Sequence, residues 1–385
     1  MANTLTSLIP DALEALDVVS REFTGFIPAV ATDSAASRAA IGESVRFPIA
    51  PVETSASNTA AVTAPDTGDA VIGSDTLAIT KSKHVPVRWN GEETLGTSRK
   101  GIFSTITADR FAQAFRVLTN EIESDLAALY VSAARATGTA GTTPFATAGN
   151  FTDFAGVNRL LDEAGAPAAD RQLVLGSAGM ANLRGLQNTL FRVNEAGSAD
   201  MLRDGMTDKV QNLALRYSGQ VASHVIGTEN GAYVTSGADP AGTTSVSLIT
   251  GSGTWTAGDL AINQEAGRDS EQYVVKTALG APGELVLNGS GLDTAWESGD
   301  SIENGSAAYV ANMGFNRSAI QLLTRLPAAP ESGDMASDIT LVTDPVSGLT
   351  FELALYKQFL QNVIHVRIAW GVKAVKSDHM AILLG

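Results

Sequence analysis

Few side chains in this sequence are placed to do chemistry, and they lie far apart. Its histidines are His84, His224, His365 and His379, and their spacing fits neither a His-Glu-x-x-His zinc site nor a nucleophile followed by its base. We expect each of them to pack or to cap a neighbouring element. The chain has no cysteine, which excludes a thiol nucleophile, a cysteine-bound metal and a disulfide framework.

One group of carboxylates has the composition of a metal site. Asp293, Glu297 and Asp300 lie close together in a glycine-rich segment. Carboxylate oxygens are the ligands that calcium and magnesium prefer in proteins. In a loop of this composition, however, such side chains more often form a solvated surface. We therefore predict no metal ion, no cofactor and no catalytic residue.

The composition describes a large chain with a weakly charged surface. Its 385 residues give room for two or three domains, and only 17% of them are charged. A surface rich in small polar residues suits packing between subunits. The net charge of −15 argues against tight binding of nucleic acid, because each phosphate contact needs a Lys or Arg. With neither a secretory signal nor an 18-residue apolar run, we expect a soluble protein made in the cytoplasm.

The strongest structural signal is a long helix predicted over residues 107–137. Its apolar side chains recur at helical spacing, at Phe111, Phe115, Leu118 and Ile122. Thr107 is placed as its N-cap, and Gly138 follows its last residue. About 30 residues at 1.5 Å each form a rod about 45 Å long. Its apolar stripe needs a sheet along its length, for which residues 85–89 and 363–375 are the candidates.

Two segments before this helix are predicted to reach outward. A short amphipathic helix after Pro10 carries its apolar face at Leu13, Leu16, Val19 and Phe23, and we interpret it as an arm that docks on this subunit or on a neighbour. Alternating apolar residues predict strands over residues 44–52 and 76–89. The polar stretch between them is too long for a tight turn. We expect an extended ribbon that gains order by lying across another molecule.

The second half alternates in type and then changes character. A helix over residues 151–164, a strand over 171–176, a second helix over 177–190 and strands near 213–226 predict a compact α/β unit. Residues 245–303 are rich in glycine and strand-forming residues. Within them Trp255-Thr-Ala-Gly258-Asp259 is echoed by Trp296-Glu-Ser-Gly299-Asp300, which indicates two similar turns in a small barrel or sandwich. Helical spacing predicts a helix over 306–326, and strands close the chain over 349–355, 363–375 and 380–384.

The order of these parts resembles the major coat (capsid) proteins of tailed double-stranded-DNA bacteriophages, with the Hong Kong 97-type fold. The inserted barrel is similar to that of the Salmonella-podophage coat group, although it is shorter here. The local runs that carry the resemblance are MANTL at the start, TWTAGDLAI at 254–262, QYVVKTAL at 272–279, NMGFNRSAIQLLTRLP at 312–327 and RIAWGVKAVK at 367–376.

The resemblance implies an α+β chain with a defined division. In the family's terms it has an N-terminal arm (1–43), an E-loop hairpin (44–100), a spine helix with part of the P-domain (101–150), a first part of the A-domain (151–240), a β-barrel insertion domain (241–304), a second part of the A-domain (305–338) and C-terminal P- and A-domain strands (339–385).

The same resemblance implies contacts and partners. Expected assembly contacts are Leu13, Leu16, Phe23, Arg46, Lys81 and Lys83; for the two lysines, the alternative is charges that keep an edge strand soluble. Expected packing residues of the spine helix are Phe111, Phe115, Leu118, Ile122 and Trp370. The expected partners are copies of the chain in pentamers and hexamers, a scaffolding protein and a portal, with a decoration protein left open. The shell would form in the bacterial host cytoplasm, mature from a procapsid into the virion, and enclose DNA without reading its sequence or binding a membrane.

Three other classes of protein remain as alternatives. A cellular nanocompartment shell, of encapsulin type, shares the fold but is expected to lack the barrel. A β-rich surface adhesin shares the small-residue bias but is expected to have a signal peptide and no long helix. An enzyme would need a pocket that gathers distant residues such as His224, Asp259 and Ser252.

Overall fold

The computed structural model describes residues 22–50, 53, 55, 57–60, 69, 71–98, 103–186, 209–228, 233–280, 282–305, 307–331, 333–345 and 347–385. The predicted α+β class is confirmed. Within these residues the helices are α1 (Gly91–Ser98), α2 (Phe103–Ala127), α3 (Thr152–Glu163) and α4 (Ser177–Leu186), with 3-10 turns at Ala128–Ser132, Arg317–Ala319 and Ser377–His379.

The strands of the first half are β1 (Ala31–Ala39), β2 (Ser44–Ile49), β3 (Gly73–Ala78), β4 (Lys81–Asn90), β5 (Arg135–Thr137), β6 (Arg171–Leu175), β7 (Lys209–Val210), β8 (Leu213–Tyr217), β9 (Ser223–His224) and β10 (Tyr233–Val234). Those of the second half are β11 (Ser245–Leu248), β12 (Thr254–Trp255), β13 (Leu260–Asn263), β14 (Gln272–Val274), β15 (Leu279–Gly280), β16 (Gly283–Val286), β17 (Ser301–Asn304), β18 (Tyr309–Asn316), β19 (Ile320–Pro327), β20 (Asp338–Thr343), β21 (Thr350–Gln358), β22 (Gln361–Ala374) and β23 (Met380–Leu384).

A six-stranded sheet covers the long helix α2. Its order is β1-β19-β22-β21-β20, with β4 beside β22. Alternate residues of a strand point to one face, and on β22 the face toward the helix holds Ile364, Val366, Ile368 and Trp370. These side chains share one buried cluster with Phe111, Phe115, Leu118 and Ile122 of α2. The predicted packing of the long helix against the strand over residues 363–375 is therefore confirmed.

The long helix ends earlier than its spacing predicts. It spans Phe103–Ala127, tightens into the 3-10 turn Ala128–Ser132 and gives way to β5, so residues 133–137 are not helical. Thr107 lies inside the helix and is buried, so its prediction as N-cap was wrong. The reason is tertiary: β5 pairs with β14 on one side and β23 on the other. Pairing with two strands outweighs the weak local preference for helix.

The helix predicted over residues 306–326 is also wrong. The described part of this segment forms β18 and β19, joined by the turn Arg317–Ala319. β18 pairs with β6 and β23, and β19 with β1 and β22. Both are central strands, buried on nearly all positions. A strand that is buried on both faces loses its alternating pattern, and a run of this kind cannot be distinguished from a buried helix by spacing alone.

The strand predicted over residues 76–89 is two strands in different sheets. β3 pairs with β2 in the ribbon, from Ser44↔Ala78 to Ile49↔Gly73. β4 pairs along its whole length with β22. The chain changes sheet at Ile79 and Thr80, whose N–H groups donate to the carbonyls of Glu43 and Trp370. The ribbon is therefore rooted at the edge of the six-stranded sheet.

An eleven-stranded sheet organises the rest of the chain. Its order is β10-β17-β13-β14-β5-β23-β18-β6-β8-β7, with β9 beside β18. Helices α3 and α4 pack beside it through a second buried cluster that includes Phe154, Leu161 and Met180. The predicted helix over 151–164 and the strand over 171–176 are confirmed. The helix predicted over 177–190 is described up to Leu186, and its last residues lie outside the described part.

Four strands at one end of this sheet close into a small barrel with the separate hairpin pair β11 and β16. The pairs β10–β17, β17–β13, β13–β14 and β11–β16 form most of the ring. The bridges Val275↔Leu287 and Thr235↔Leu248 close it. Its core contains Tyr233, Trp255, Tyr273 and Trp296, among others. The ring begins with β10, ahead of residue 241, and continues into the main sheet through β14 and β5.

Candidate functional site

The residues expected to make assembly contacts are dispersed over the described surface. Leu13 and Leu16 lie outside the described residues. Phe23 is 60% exposed, and its ring centroid lies 5.2 Å from that of Tyr217. Arg46 is exposed on β2. These positions agree with outward contacts, which stay a prediction.

Lys81 and Lys83 point at the chain's own long helix. Lys81 Nζ lies 2.7 Å from Asp125 Oδ1 and 3.4 Å from Glu121 Oε1, and Lys83 also pairs with Glu121. The Asp125 hydrogen bond raises the pKa of Lys81. Trp370 Nε1 donates to the other oxygen of Asp125 at 2.8 Å. These contacts join β4 and β22 to α2, so any contact of the lysines with a neighbour is additional to this internal role.

The packing residues predicted for the long helix come together. Phe111, Phe115, Leu118, Ile122 and Trp370 are each at most 1% exposed and belong to the same cluster. Phe115 meets Phe351 edge to face, with a centroid distance of 5.0 Å. The helix and the sheet therefore form one block, from which the other parts extend.

A buried carboxylate on α2 holds the start of the described chain, a role that the sequence alone does not indicate. Glu123 is fully buried and accepts hydrogen bonds from the N–H groups of Gly25, Phe26 and Ile27, and from Ser218 Oγ, at 2.8–3.3 Å. Burial raises the pKa of Glu123 more than these bonds lower it. No local pattern indicates this role, because Glu123 lies beside Ile122 without breaking the apolar stripe and its partners are distant in the chain.

A second carboxylate supports the same junction. Glu22 accepts from Arg116 Nε at 2.6 Å and from Asn120 Nδ2 at 2.8 Å. The bond to Arg116 lowers the pKa of Glu22 to about 2. Residues 22–27, which we call the arm root, are thus bound by side chains from three positions of one helix.

Two of the three residues that an enzyme would need are brought together, and both of these are buried. His224 Nε2 lies 2.8 Å from Asp259 Oδ1, and Tyr130 Oη lies 2.8 Å from His224 Nδ1. His224 is 4% exposed and Asp259 is 0% exposed, so neither presents a surface to a substrate. The third candidate, Ser252, accepts a hydrogen bond from Tyr233 through its backbone oxygen. We interpret the three linked side chains as a structural joint.

Two other histidines also meet, which their sequence positions do not reveal. The rings of His84 and His365 stack with a centroid distance of 4.5 Å across β4 and β22. Burial, followed by the nearby His84 and Arg367, lowers the pKa of His365.

The carboxylates near Trp296 are bound by basic and amide side chains. Asp300 Oδ2 lies 3.2 Å from Arg268 Nε and 2.8 Å from Asn263 Nδ2. Asp293 faces Arg135 at 3.4 Å. Over the described ranges, no three His, Asp or Glu side chains come together in a way that could hold a metal ion. Likewise, no helix in the described part combines the length and the apolar character needed to cross a membrane.

No protein-family model matches the sequence, and no curated protein matches it either. Solved structures do. The capsid of cyanophage P-SCSP1u is similar over 95% of this chain and 89% of its own, with 13% identity and a TM-score of 0.47. A virus-like particle from Pyrococcus furiosus is similar over 99% and 100%, with 10% identity and a TM-score of 0.45. A structure from Mycobacterium phage Che8 is similar over 95% and 92%, with 12% identity and a TM-score of 0.44.

Proposed function

We propose that this chain is the repeating subunit of an icosahedral shell that encloses the double-stranded DNA of a tailed phage. The observation that carries the proposal is the ribbon of β2 and β3. Five of the six residues of β2 are exposed, including Val45 and Ile49. A two-stranded ribbon is at best marginally stable in water. It therefore fits a part that is completed by the surface of another subunit.

The base of the ribbon is firmly attached to the six-stranded sheet. In this respect the ribbon differs from an ordinary surface loop. Leu77 and Ile79 are buried with Leu323 and Ala369 of the six-stranded sheet. Lys373 pairs with Asp75 at the same place and lowers the pKa of that carboxyl. A rigid base with an exposed extension can hold a neighbour at a defined angle.

The proposal extends to the assembly state, the partners and the location of the subunit. The subunits form pentamers and hexamers, assemble with a scaffolding protein and a portal in the host cytoplasm, and mature into the virion. A net charge of −15 suits a container whose wall does not adhere to its DNA. The barrel of residues 233–304 favours a phage shell over a nanocompartment, and α2 disfavours an adhesin. No catalytic role is proposed.

The test is assembly of the purified chain. We expect electron microscopy of the protein, expressed with and without its genomic neighbours, to show hollow particles. The double variant V45D/I49D is expected to leave the thermal unfolding midpoint unchanged and to abolish particles, because two charges would enter a subunit contact. V225D, at a position 76% exposed outside the ribbon, is the control and should assemble. A wild-type chain that stays monomeric at every concentration would contradict the proposal.

A further inference from the structure

The turn between β21 and β22 carries two large apolar side chains that are mostly exposed. Phe359 is 89% exposed and Leu360 is 74% exposed. Leu360 also has φ 52°, in the left-handed region. Gly or Asn adopts this conformation at little cost, whereas a residue such as Leu is strained by about 1–3 kcal/mol. Strain at Leu360, together with exposed apolar surface at both residues, indicates a contact with something outside the subunit.

Helix α1 lies beside this turn and offers a second apolar surface. The N–H of Gly91 donates to the carbonyl of Leu360 at 3.0 Å, so the helix starts at the turn. Leu95, one turn further along α1, is 46% exposed. The subunit's own helix therefore lies next to Phe359 and Leu360 but leaves both of them uncovered.

The two surfaces carry opposite charges. Lys357 is exposed at the end of β21, and Glu92 is exposed in the first turn of α1. Across the described ranges neither residue takes part in an ion pair. The hairpin is thus apolar with a basic flank, whereas the helix is apolar with an acidic flank.

We propose that the β21–β22 turn of one copy packs on helix α1 of the next copy, with Lys357 facing Glu92 across the contact. This inference rests on the proposed shell function and assigns one of its contacts. The occupant is a second copy because the matching surface is present on the chain itself. Because the turn and α1 lie side by side on one subunit, the same contact places the turn of each copy on the helix of the other, as in a two-fold interface.

The first test separates assembly from folding. In L360N the turn residue tolerates the left-handed conformation, so subunit stability is expected to stay the same or rise. The same change, and F359S, remove buried apolar area from the contact, so the protein concentration needed for assembly should rise about tenfold or more. V225S is the control at matched exposure and should assemble as the wild type does. Wild-type particles with unchanged assembly of L360N and F359S would overturn this contact while leaving the shell function intact.

The second test uses the absence of cysteine from the chain. Oxidised particles of K357C/E92C are expected to give chains linked to one another on a gel without reductant. Particles assembled from a mixture of K357C and E92C single variants should give linked pairs, because the contact joins different copies. A disulfide within one chain in the double variant, or no linked pairs in the mixture, would overturn the proposal. Failure of the wild type to form any particle would instead contradict the shell function itself.

Discussion

The barrel contains two turns with nearly the same sequence, and the structure gives them different partners. In the first, the N–H of Thr256 donates to Asp259 Oδ2 at 2.7 Å; in the second, the N–H of Glu297 donates to Asp300 Oδ2 at 2.9 Å. Both contain a glycine at positive φ, and both tryptophans, Trp255 and Trp296, are fully buried. The local conformation is therefore set by the repeated residues.

The difference lies in what each aspartate reaches beyond its own turn. Asp259 accepts from His224 and from the N–H of Gly227, and His224 is in turn bonded to Tyr130 in the 3-10 turn that follows α2. Asp300 accepts from Asn263 and Arg268, which belong to the barrel. One turn is thus a joint between the barrel and the long helix, and the other is internal. The same motif serves two purposes because its surroundings differ.

The largest effect is expected from D259A. The change removes the fully buried acceptor of three donors, the partly buried N–H groups of Thr256 and Gly227 and the buried His224, and each buried group left unpaired costs about 1–3 kcal/mol. We expect the free energy of unfolding to fall by about 4 kcal/mol. Urea denaturation monitored by tryptophan fluorescence measures this loss. Amide exchange should accelerate in β9 as well as in the barrel. Unchanged exchange in β9 would show that the joint does not hold that strand.

G258A is expected to have the next largest effect, lowering the free energy of unfolding by about 3 kcal/mol. Gly258 has φ +100°, and an added Cβ would lie 3.0 Å from ring atoms of His224 and Tyr130. Backbone strain of about 1–3 kcal/mol is then combined with displacement of the joint. Near-ultraviolet circular dichroism should report the altered surroundings of Tyr130. A spectrum like that of the wild type would mean that the joint absorbs the extra methyl group.

D300A is expected to lower the free energy of unfolding by less, about 2 kcal/mol. It removes the acceptor of Asn263 and of the Glu297 N–H, but Arg268 is 31% exposed on its side chain and can turn to water. Urea unfolding measures the loss, and amide exchange should quicken only inside the barrel. A loss equal to that of D259A would erase the difference between the two turns.

The smallest effect is expected from G299A. Gly299 has φ +93°, but an added Cβ would meet no atom within 4 Å. Only the strain of the positive φ remains, about 1 kcal/mol, seen as a small shift of the thermal midpoint. Comparison with G258A isolates the contribution of the neighbouring rings. Equal losses in the two variants would assign the whole effect to the backbone.

What the sequence could predict was local. The stripe from Phe111 to Ile122 indicated the buried face of α2, and the repeated Trp and Gly-Asp positions indicated the two turns. The end of α2, the strands β18 and β19 and the split between β3 and β4 were missed because each depends on pairing with distant strands. The Tyr130–His224–Asp259 joint and the Glu123 junction were missed for the same reason, since their members are far apart in the chain.

Glu123 and Tyr130 belong to the same stretch of chain, about two helical turns apart. The first holds the arm root, and the second holds the barrel joint. The C-terminal part of α2 and the turn after it therefore carry both attachments, while the apolar face of the helix lies against the sheet. If α2 rotates about its own axis, the arm root and the barrel must move together, so in the proposed shell a change in curvature would act on both at once.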